Sequence, residues 1–262
     1  MKRFDICAGL LLATVIAASP LVLQAKTGPQ GYLADGAVET IKILPPAPVK
    51  GEPRYEADRE IFKATRRFVG SPRWALATND VKLSTPDLLR DFSCAVGVAL
   101  TPENAPHLVQ VVEKANSDTA HGTNVAKDYF KRLRPFQIDN GEVCQPTVEL
   151  ANSYDYPSGH TTRGWTWAEL LAELVPDHAS AILARGRAFG ESRIVCGAHN
   201  TSAVEAGRLS AAVTLAVVHA SPAFQNDFKA AREELAGLQA DAGTTRPQGC
   251  AEEAELIALP VF

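Results

Sequence analysis

The chain has 262 residues, of which 46% are hydrophobic, 26 are Lys or Arg and 30 are Asp or Glu, giving a formal net charge of −4 at pH 7. This length and apolar content suffice for one well-packed domain. A mildly acidic chain has no electrostatic basis for binding nucleic acid, so no nucleic-acid partner is expected.

The first 25 residues have the pattern of a secretory signal peptide. Lys2 and Arg3 form a positive start, residues 6–23 are largely apolar, and the small residue Ala25 offers a cleavage point. A membrane anchor is the alternative interpretation, but Pro20 interrupts the apolar run and no basic cluster follows it. We therefore predict an exported protein with no membrane span after cleavage.

Export affects how the five cysteines are interpreted. Cleavage after Ala25 would remove Cys7 and leave Cys94, Cys144, Cys196 and Cys250. An even number in an oxidising compartment favours two disulfides, and the sequence leaves all three pairings open. No two of these cysteines have the close spacing typical of zinc sites, so no metal is expected.

Residues 26–54 are rich in Pro and Gly and predict an extended segment that lies over the domain. From residue 55 to residue 262 we predict a single domain. Apolar residues recur every three or four positions after Glu56, and Ser84-Thr85-Pro86 and Thr101-Pro102-Glu103 have the composition of helix starts.

The second half of the chain is also predicted to be helical. A helix over about 124–133 would place Lys127 and Arg134 two turns apart on one face, and Pro135 would end it. Residues 137–154 look irregular, and no strand pattern of comparable length occurs. The fold class is therefore predicted to be all-α, a single helical bundle. The remaining predicted helices cover about 158–174, 177–193, 202–220 and 222–238.

Pro157-Ser158-Gly159-His160 stands immediately before one of these helices. The free backbone N–H groups and partial positive charge of a helix N-terminus attract anions. Ser158 could cap the helix, Gly159 would let an anion approach the backbone, and His160 could donate a proton to a leaving group. An ordinary capped helix is the alternative.

His199 follows Ser192-Arg193 after five intervening residues and could attack phosphorus. A buried structural histidine is the alternative. Lys127, Arg134 and Arg193 would bind the non-bridging oxygens of a phosphate, Arg as a bidentate donor and Lys as a point charge. Individually each could be a surface charge, which is our interpretation of Lys131 and Arg132.

Taken together, these motifs resemble a known signature. The order and spacing of the motifs resemble the signature of the acid phosphatase branch of the type 2 phosphatidic acid phosphatase and vanadium haloperoxidase superfamily. The motifs are, in order, Lys127-(six residues)-Arg134-Pro135, Pro157-Ser158-Gly159-His160 and Ser192-Arg193-(five residues)-His199. Within this superfamily, the chain resembles the bacterial class A non-specific acid phosphatases. The resemblance is strong over about residues 92–209.

The resemblance implies a helical, periplasmic phosphomonoesterase that needs no metal or other cofactor and works through a phosphohistidine. It implies that small phosphomonoesters are the substrates, that His199 is the nucleophile and that His160 is the general acid. The phosphate-binding residues would be Lys127, Arg134, Ser158, Gly159 and Arg193. A homo-oligomer is compatible with the sequence.

The chain departs from the family motif at Ala203. The family has Asp four residues after the nucleophilic histidine, where it accepts a hydrogen bond from the ring. Glu205 is the nearest carboxylate, but two helical positions turn it roughly 200° away. Asn200, Thr201, Ser202 or a backbone carbonyl could replace the Asp. A natural subgroup with a substitute partner, an engineered substitution and a decayed enzyme are the open explanations.

The main functional alternative is a phosphate-binding pseudoenzyme or weakened phosphatase, in which the cations remain but turnover is lost. Two other chemistries fit the motifs less well. Vanadium haloperoxidases usually have much longer chains, and lipid phosphatases of this superfamily normally span the membrane several times.

Overall fold

The computed structural model describes residues 30–262, and helix is the only regular secondary structure in that range, as the sequence predicts. The signal peptide predicted over residues 1–25 lies outside the described residues. The helices are α1 (Thr40–Ile43), α2 (Pro53–Thr65), α3 (Pro72–Asn79), α4 (Thr85–Val96), α5 (Pro106–Phe130), α6 (Gly159–Leu174), α7 (Ala179–Val195), α8 (Thr201–Val218), α9 (Pro222–Ala240) and α10 (Cys250–Ala258).

The helix α6 lies at the centre of the bundle, where it contacts α5, α7 and α8. Two glycines allow α6 and α7 to approach closely. A Cβ on Gly164 would lie 2.4 Å from the ring of Phe189, and a Cβ on Gly186 would lie 2.3 Å from the Cβ of Ala168. Both distances are too short for carbon atoms, so these helices pack at this separation only because glycine occupies both positions.

The main core is formed by apolar side chains from α4, α5, α6, α7 and α9, and it fixes the helices that carry the candidate site. Burial of each large side chain contributes about 1.5–3 kcal/mol. The core includes Leu88, Leu89, Phe92, Leu108, Trp167, Leu170, Leu171, Phe189, Phe224 and Leu235, all at most 3% exposed.

The end of α5 differs from the sequence prediction. The helix ends at Phe130 rather than near residue 133, because Lys131 adopts a left-handed backbone conformation with φ 49°. Arg134 therefore lies on the following turn rather than two helical turns from Lys127. The prediction that Arg132 is a surface charge is wrong, since its side chain is buried and pairs with Asp58 at 2.7 Å.

The N-terminal segment lies on the bundle. Residues 30–52 carry only the short helix α1, whose Thr40 hydroxyl donates to the carbonyl of Gly122 on α5 at 2.8 Å. Among the described helices, α8 is long and apolar enough to cross a membrane by length and composition, but 61% of it is buried within the bundle.

Two disulfides form among the four cysteines whose pairing the sequence leaves open. Cys94 on α4 pairs with Cys250 at the start of α10, and Cys144 pairs with Cys196 at the end of α7. The sequence separations are 156 and 52 residues. Cross-links over such long loops restrict the unfolded chain, which stabilises the folded state.

We expect replacement of both Cys94 and Cys250 by Ser to lower the free energy of unfolding by about 2–5 kcal/mol, because this cross-link closes the longer loop. Urea denaturation of the variant and the wild type would measure the difference. An unchanged denaturation midpoint would show that α10 docks equally well without the disulfide.

Candidate active site

The structure brings together all seven residues that the sequence singles out. They come from the end of α5, the turn after it, the N-terminus of α6, the last turn of α7 and the connection from α7 to α8. Arg134 Nη1 lies 3.0 Å from His199 Nε2, and the backbone N–H of His199 donates to the carbonyl of Arg193 at 3.2 Å. The backbone N–H of Ser158 donates to the carbonyl of Ala203 at 2.9 Å, which joins α6 to the start of α8.

His199 is held through both ring nitrogens and is 2% exposed. Its Nε2 faces Arg134, and its Nδ1 lies 3.0 Å from a carboxylate oxygen of Asp155. A guanidinium can only donate hydrogen bonds and an ionised carboxylate can only accept them. Both contacts therefore favour the same tautomer, in which Nδ1 carries the proton and the lone pair of Nε2 accepts from Arg134.

Sequence reasoning missed Asp155, which is fully buried. It lies 44 residues from His199, at the end of the irregular segment, whereas the candidates to replace the family Asp were sought next to the histidine. The only available signal was that a carboxylate stands two residues before the Pro157-Ser158-Gly159-His160 motif.

The substitutes that the sequence proposed do not hold the ring. Asn200 instead donates to Asp155, through its backbone N–H at 3.2 Å and its Nδ2 at 2.8 Å. The hydroxyl of Ser202 donates to Asp58 at 2.5 Å, and the hydroxyl of Thr201 is buried without a hydrogen-bond partner among the described residues. Glu205 is exposed, as its helical position predicts.

Lys127, Arg134 and Arg193 form a group that we call the cation cluster. Arg193 is fully buried, and its Nη2 donates to the side-chain carbonyl of Gln145. Its Nε and Nη1 have no hydrogen-bond partner among the described residues. Burial and the neighbouring Arg134 lower the pKa of Arg193 to about 9, so it stays charged at neutral pH. These two N–H groups are therefore free to donate hydrogen bonds to an anionic ligand.

Lys127 is 7% exposed, and its Nζ donates to the carbonyl of Tyr154. Burial, followed by repulsion from Arg134, lowers the pKa of Lys127 to about 7. Lys127 therefore titrates near neutral pH when no anion is bound. Its neighbour Arg134 donates hydrogen bonds to the carbonyls of Ser153 at 2.7 Å and Ala198 at 2.8 Å.

The N-terminus of α6 points into the same site. The Ser158 hydroxyl caps the helix by accepting the backbone N–H of Thr161 at 3.3 Å. Gly159 follows, and a Cβ built there would lie 3.8 Å from Lys127 Cε. The backbone amides at this helix start therefore adjoin the cation cluster, as an anion site requires.

His160 is half-buried, and its Nε2 lies 3.0 Å from the carbonyl of Val81. Because a carbonyl can only accept, Nε2 carries a proton and Nδ1 is the nitrogen that can gain or release one. Burial, followed by repulsion from Arg193, holds the pKa of His160 well below its usual range. Within residues 30–262, no group of three or more His, Cys, Asp or Glu side chains is placed to hold a metal ion.

Comparisons with known proteins show which family the chain belongs to. Residues 115–227, which contain all seven site residues, match the PAP2 superfamily. The chain is 41% identical over 208 residues to an acid phosphatase of Zymomonas mobilis, an alignment that covers 79% of each chain. The chain belongs to the bacterial acid phosphatases of the PAP2 superfamily.

Two further relatives carry the family name. A non-specific acid phosphatase of Salmonella typhimurium is 38% identical over 215 residues, which cover 81% of this chain and 86% of the relative. One from Providencia stuartii is 32% identical over 239 residues, which cover 89% and 96%. The helical fold expected from the resemblance is confirmed, and the chain is an acid phosphatase.

The low pKa of Lys127 predicts how phosphate binding by this phosphatase changes with pH. Below about pH 7 the lysine is charged, and we expect Lys127→Ala to weaken phosphate binding about 10- to 100-fold, typical of a charged hydrogen bond. At pH 9, protonating Lys127 costs about 2.7 kcal/mol, at 1.36 kcal/mol per pH unit. At that pH the phosphate affinities of wild type and Lys127→Ala should differ by only about threefold or less.

The inhibition constant of inorganic phosphate, measured for both proteins from pH 5 to pH 9, provides the test. The comparison at each pH cancels the titration of phosphate itself. Lys131→Ala serves as the matched control, because Lys131 is exposed on the adjacent turn and should have no effect. A ratio between Lys127→Ala and wild type that stays constant with pH would contradict this account.

Proposed function

We propose that this acid phosphatase hydrolyses small phosphomonoesters through a phosphohistidine on His199, without a metal ion. The observation that carries the proposal is the position of His199. Its Nδ1 is occupied by Asp155, and its Nε2 faces the cation cluster where the phosphate would bind. A neutral imidazole with a fixed tautomer is a competent nucleophile.

Charge supports a phosphate dianion as the ligand. Four cationic side chains and two carboxylates are buried around the site, which leaves a charge of about +2 when all are ionised. The cations are Lys127, Arg132, Arg134 and Arg193, and the carboxylates belong to Asp58 and Asp155. A phosphate dianion would neutralise this excess, and the donors of Arg193 without partners would bind its oxygens.

In the first step, His199 Nε2 attacks phosphorus and the P–O bond to the alcohol breaks. Arg134, which donates to Nε2 at 3.0 Å in the free enzyme, would transfer this hydrogen bond to the anion and free the lone pair. His160 would give the proton on Nδ1 to the leaving oxygen. Preorganised donors stabilise the charge that develops on the transferring group.

In the second step, water attacks phosphorus, the N–P bond breaks, and neutral His160 accepts the proton of the water. Inorganic phosphate leaves and both rings return to their starting states. Acid pH favours the first step, since burial and the surrounding cations hold the pKa of His160 well below its usual range. A bound phosphate dianion would counter that effect by stabilising the protonated ring.

The pseudoenzyme alternative depended on the carboxylate that Ala203 lacks. Asp155 supplies a carboxylate to the same ring, so the alternative is not favoured. We also propose that the protein is exported to the periplasm, where the two disulfides would be stable. In that case no membrane span would remain after cleavage.

Three proteins test the proposal: wild type, His199→Ala and His160→Ala, each assayed with an aryl and an alkyl phosphate in the presence of EDTA. We expect the wild type to keep full activity in EDTA and His199→Ala to lose activity on both substrates. His160→Ala should lose at least about 10²-fold on the alkyl phosphate, because a poor leaving group needs a proton.

On an aryl phosphate with a strongly acidic phenol, His160→Ala should lose much less of its kcat/KM, which reports the first step, since this leaving group departs as an anion. Loss of wild-type activity in EDTA, with recovery on adding a divalent ion, would contradict metal independence. Equal losses of kcat/KM in His160→Ala on both substrates would contradict its role as the acid.

A further inference from the structure

Asp155 is the buried carboxylate that contacts the ring of His199, at 3.0 Å from Nδ1. In the family that the chain resembles, the corresponding carboxylate stands four residues after the histidine, where this chain has Ala203. We propose that Asp155 is the positioning residue of this enzyme, so that the orienting carboxylate has moved from the start of α8 to the segment before α6. The inference rests on the proposed function of His199.

The backbone on both sides of Asp155 is fixed. The N–H of Asp155 donates to the carbonyl of Arg132 at 2.9 Å, and the N–H of Ser158 donates to the carbonyl of Ala203 at 2.9 Å. The hydroxyl of Tyr156 donates to the carbonyl of Pro45 at 2.7 Å. These bonds tie the segment to the α5 turn, to α8 and to the N-terminal segment, so the carboxylate has little freedom to leave the ring.

The hydrogen bonds to Asp155 determine which oxygen faces the histidine. Oδ2 accepts Nδ2 of Asn200 at 2.8 Å, while Oδ1 accepts the backbone N–H of Asn200 and lies against His199. Asn200 is also the residue after the histidine, so one side chain links the carboxylate to the chain that carries the ring. This second layer of contacts orients the carboxylate as well as the imidazole.

Arg132 balances the charge of Asp155 without displacing the histidine. Its Nη2 pairs with Asp58 at 2.7 Å, and its Nη1 lies 3.5 Å from Asp155. Burial raises the pKa of Asp155, while Arg132 and the amide donors of Asn200 oppose that rise. Because Arg132 makes its closer contact with Asp58, the Asp155 oxygen nearest the ring remains available to His199.

Ala203 lies in an apolar environment. It is fully buried and packs in an apolar cluster with Leu44, Ala126 and Tyr156. A carboxylate placed there would be buried among apolar side chains, which is costly, while the Nδ1 position of the ring is already taken by Asp155. Restoring the family residue at position 203 should therefore bring no benefit while Asp155 is present.

Asp155→Asn is the main test, with Asp91→Asn as the matched control. An amide at position 155 can donate to Nδ1 and so stabilise the wrong tautomer, a change that costs about 10⁴-fold in serine proteases. We expect Asp155→Asn to lower kcat by about 10³-fold or more with little change in KM. Asp91 on α4 is also a buried carboxylate, but it accepts a hydrogen bond from Asn79 at 2.9 Å and bonds to none of the seven site residues, so Asp91→Asn should keep kcat within about tenfold.

Two more measurements do not depend on how well Asp155→Asn folds. The ¹⁵N NMR shifts of His199 in the wild type should show a proton on Nδ1 and none on Nε2. Ala203→Asp in the otherwise unchanged chain should not raise kcat. A proton on Nε2, a more than tenfold gain in Ala203→Asp, or equal kcat values for Asp155→Asn and Asp91→Asn would each overturn the inference.

The outcome also separates this inference from the proposed function. If His199→Ala is inactive while Asp155→Asn keeps wild-type kcat, His199 is essential and Asp155 is not its positioning residue. If His199→Ala retains activity, the phosphohistidine mechanism itself is wrong.

Discussion

The hydrogen bond between Asp155 and His199 fixes the nitrogen that faces the proposed phosphate site, and the surrounding contacts maintain that hydrogen bond. The imidazole can present its Nε2 lone pair only while Nδ1 keeps its proton, and a buried carboxylate at 3.0 Å is a strong acceptor for that proton. A buried carboxylate is itself costly unless it is paired and hydrogen-bonded. Asn200 and Arg132 meet that requirement, and Asp58 in turn anchors Arg132 to α2.

In the proposed mechanism, the cation cluster affects phosphate binding and the protonation of His160 in opposite directions. The buried positive charges that would attract a phosphate dianion also keep nearby rings neutral, because a further positive charge among them is unfavourable. Burial, followed by repulsion from Arg134, holds the pKa of His199 well below its usual range, as the proposed nucleophile requires. Burial, followed by repulsion from Arg193, opposes protonation of His160 in the free enzyme. An anionic substrate would reverse the balance by adding negative charge, which would couple substrate binding to the protonation of the proposed acid.

Much of the fold was predictable because helices leave local signals. Ser84-Thr85-Pro86 caps α4 as predicted, and the apolar face of Leu88, Leu89 and Phe92 is fully buried. The end of α5 was predicted incorrectly, because no residue type near Lys131 signals its left-handed backbone, and the next residue, Arg132, pairs with the distant Asp58. The seven site residues were predicted in a different way, from the spacing of motifs that resemble a known family and not from the helix propensity of the surrounding sequence.

The residue that orients His199 could not be predicted in the same way. Positions 199–205 all lie within a helical turn or two of the ring, so the sequence pointed to a neighbour of His199 as the replacement for the family Asp. Asp155 is 44 residues away in sequence and was therefore not among the candidates. The two residues meet only because the segment before α6 packs against the start of α8, and that packing involves distant parts of the chain. The disulfide pairing was left open for the same reason, since Cys94 and Cys250 meet where α10 packs against the bundle through α3 and α7.

The position of the phosphoryl group on the trapped intermediate tests the central claim most directly. Rapid quenching into alkali during turnover, followed by peptide mapping and ³¹P NMR, would identify both the phosphorylated residue and the phosphorylated nitrogen. The account predicts phosphohistidine at position 199, with phosphorus on Nε2, because Nδ1 is held by Asp155. Phosphorus on Nδ1 of His199, or on another residue, would contradict it.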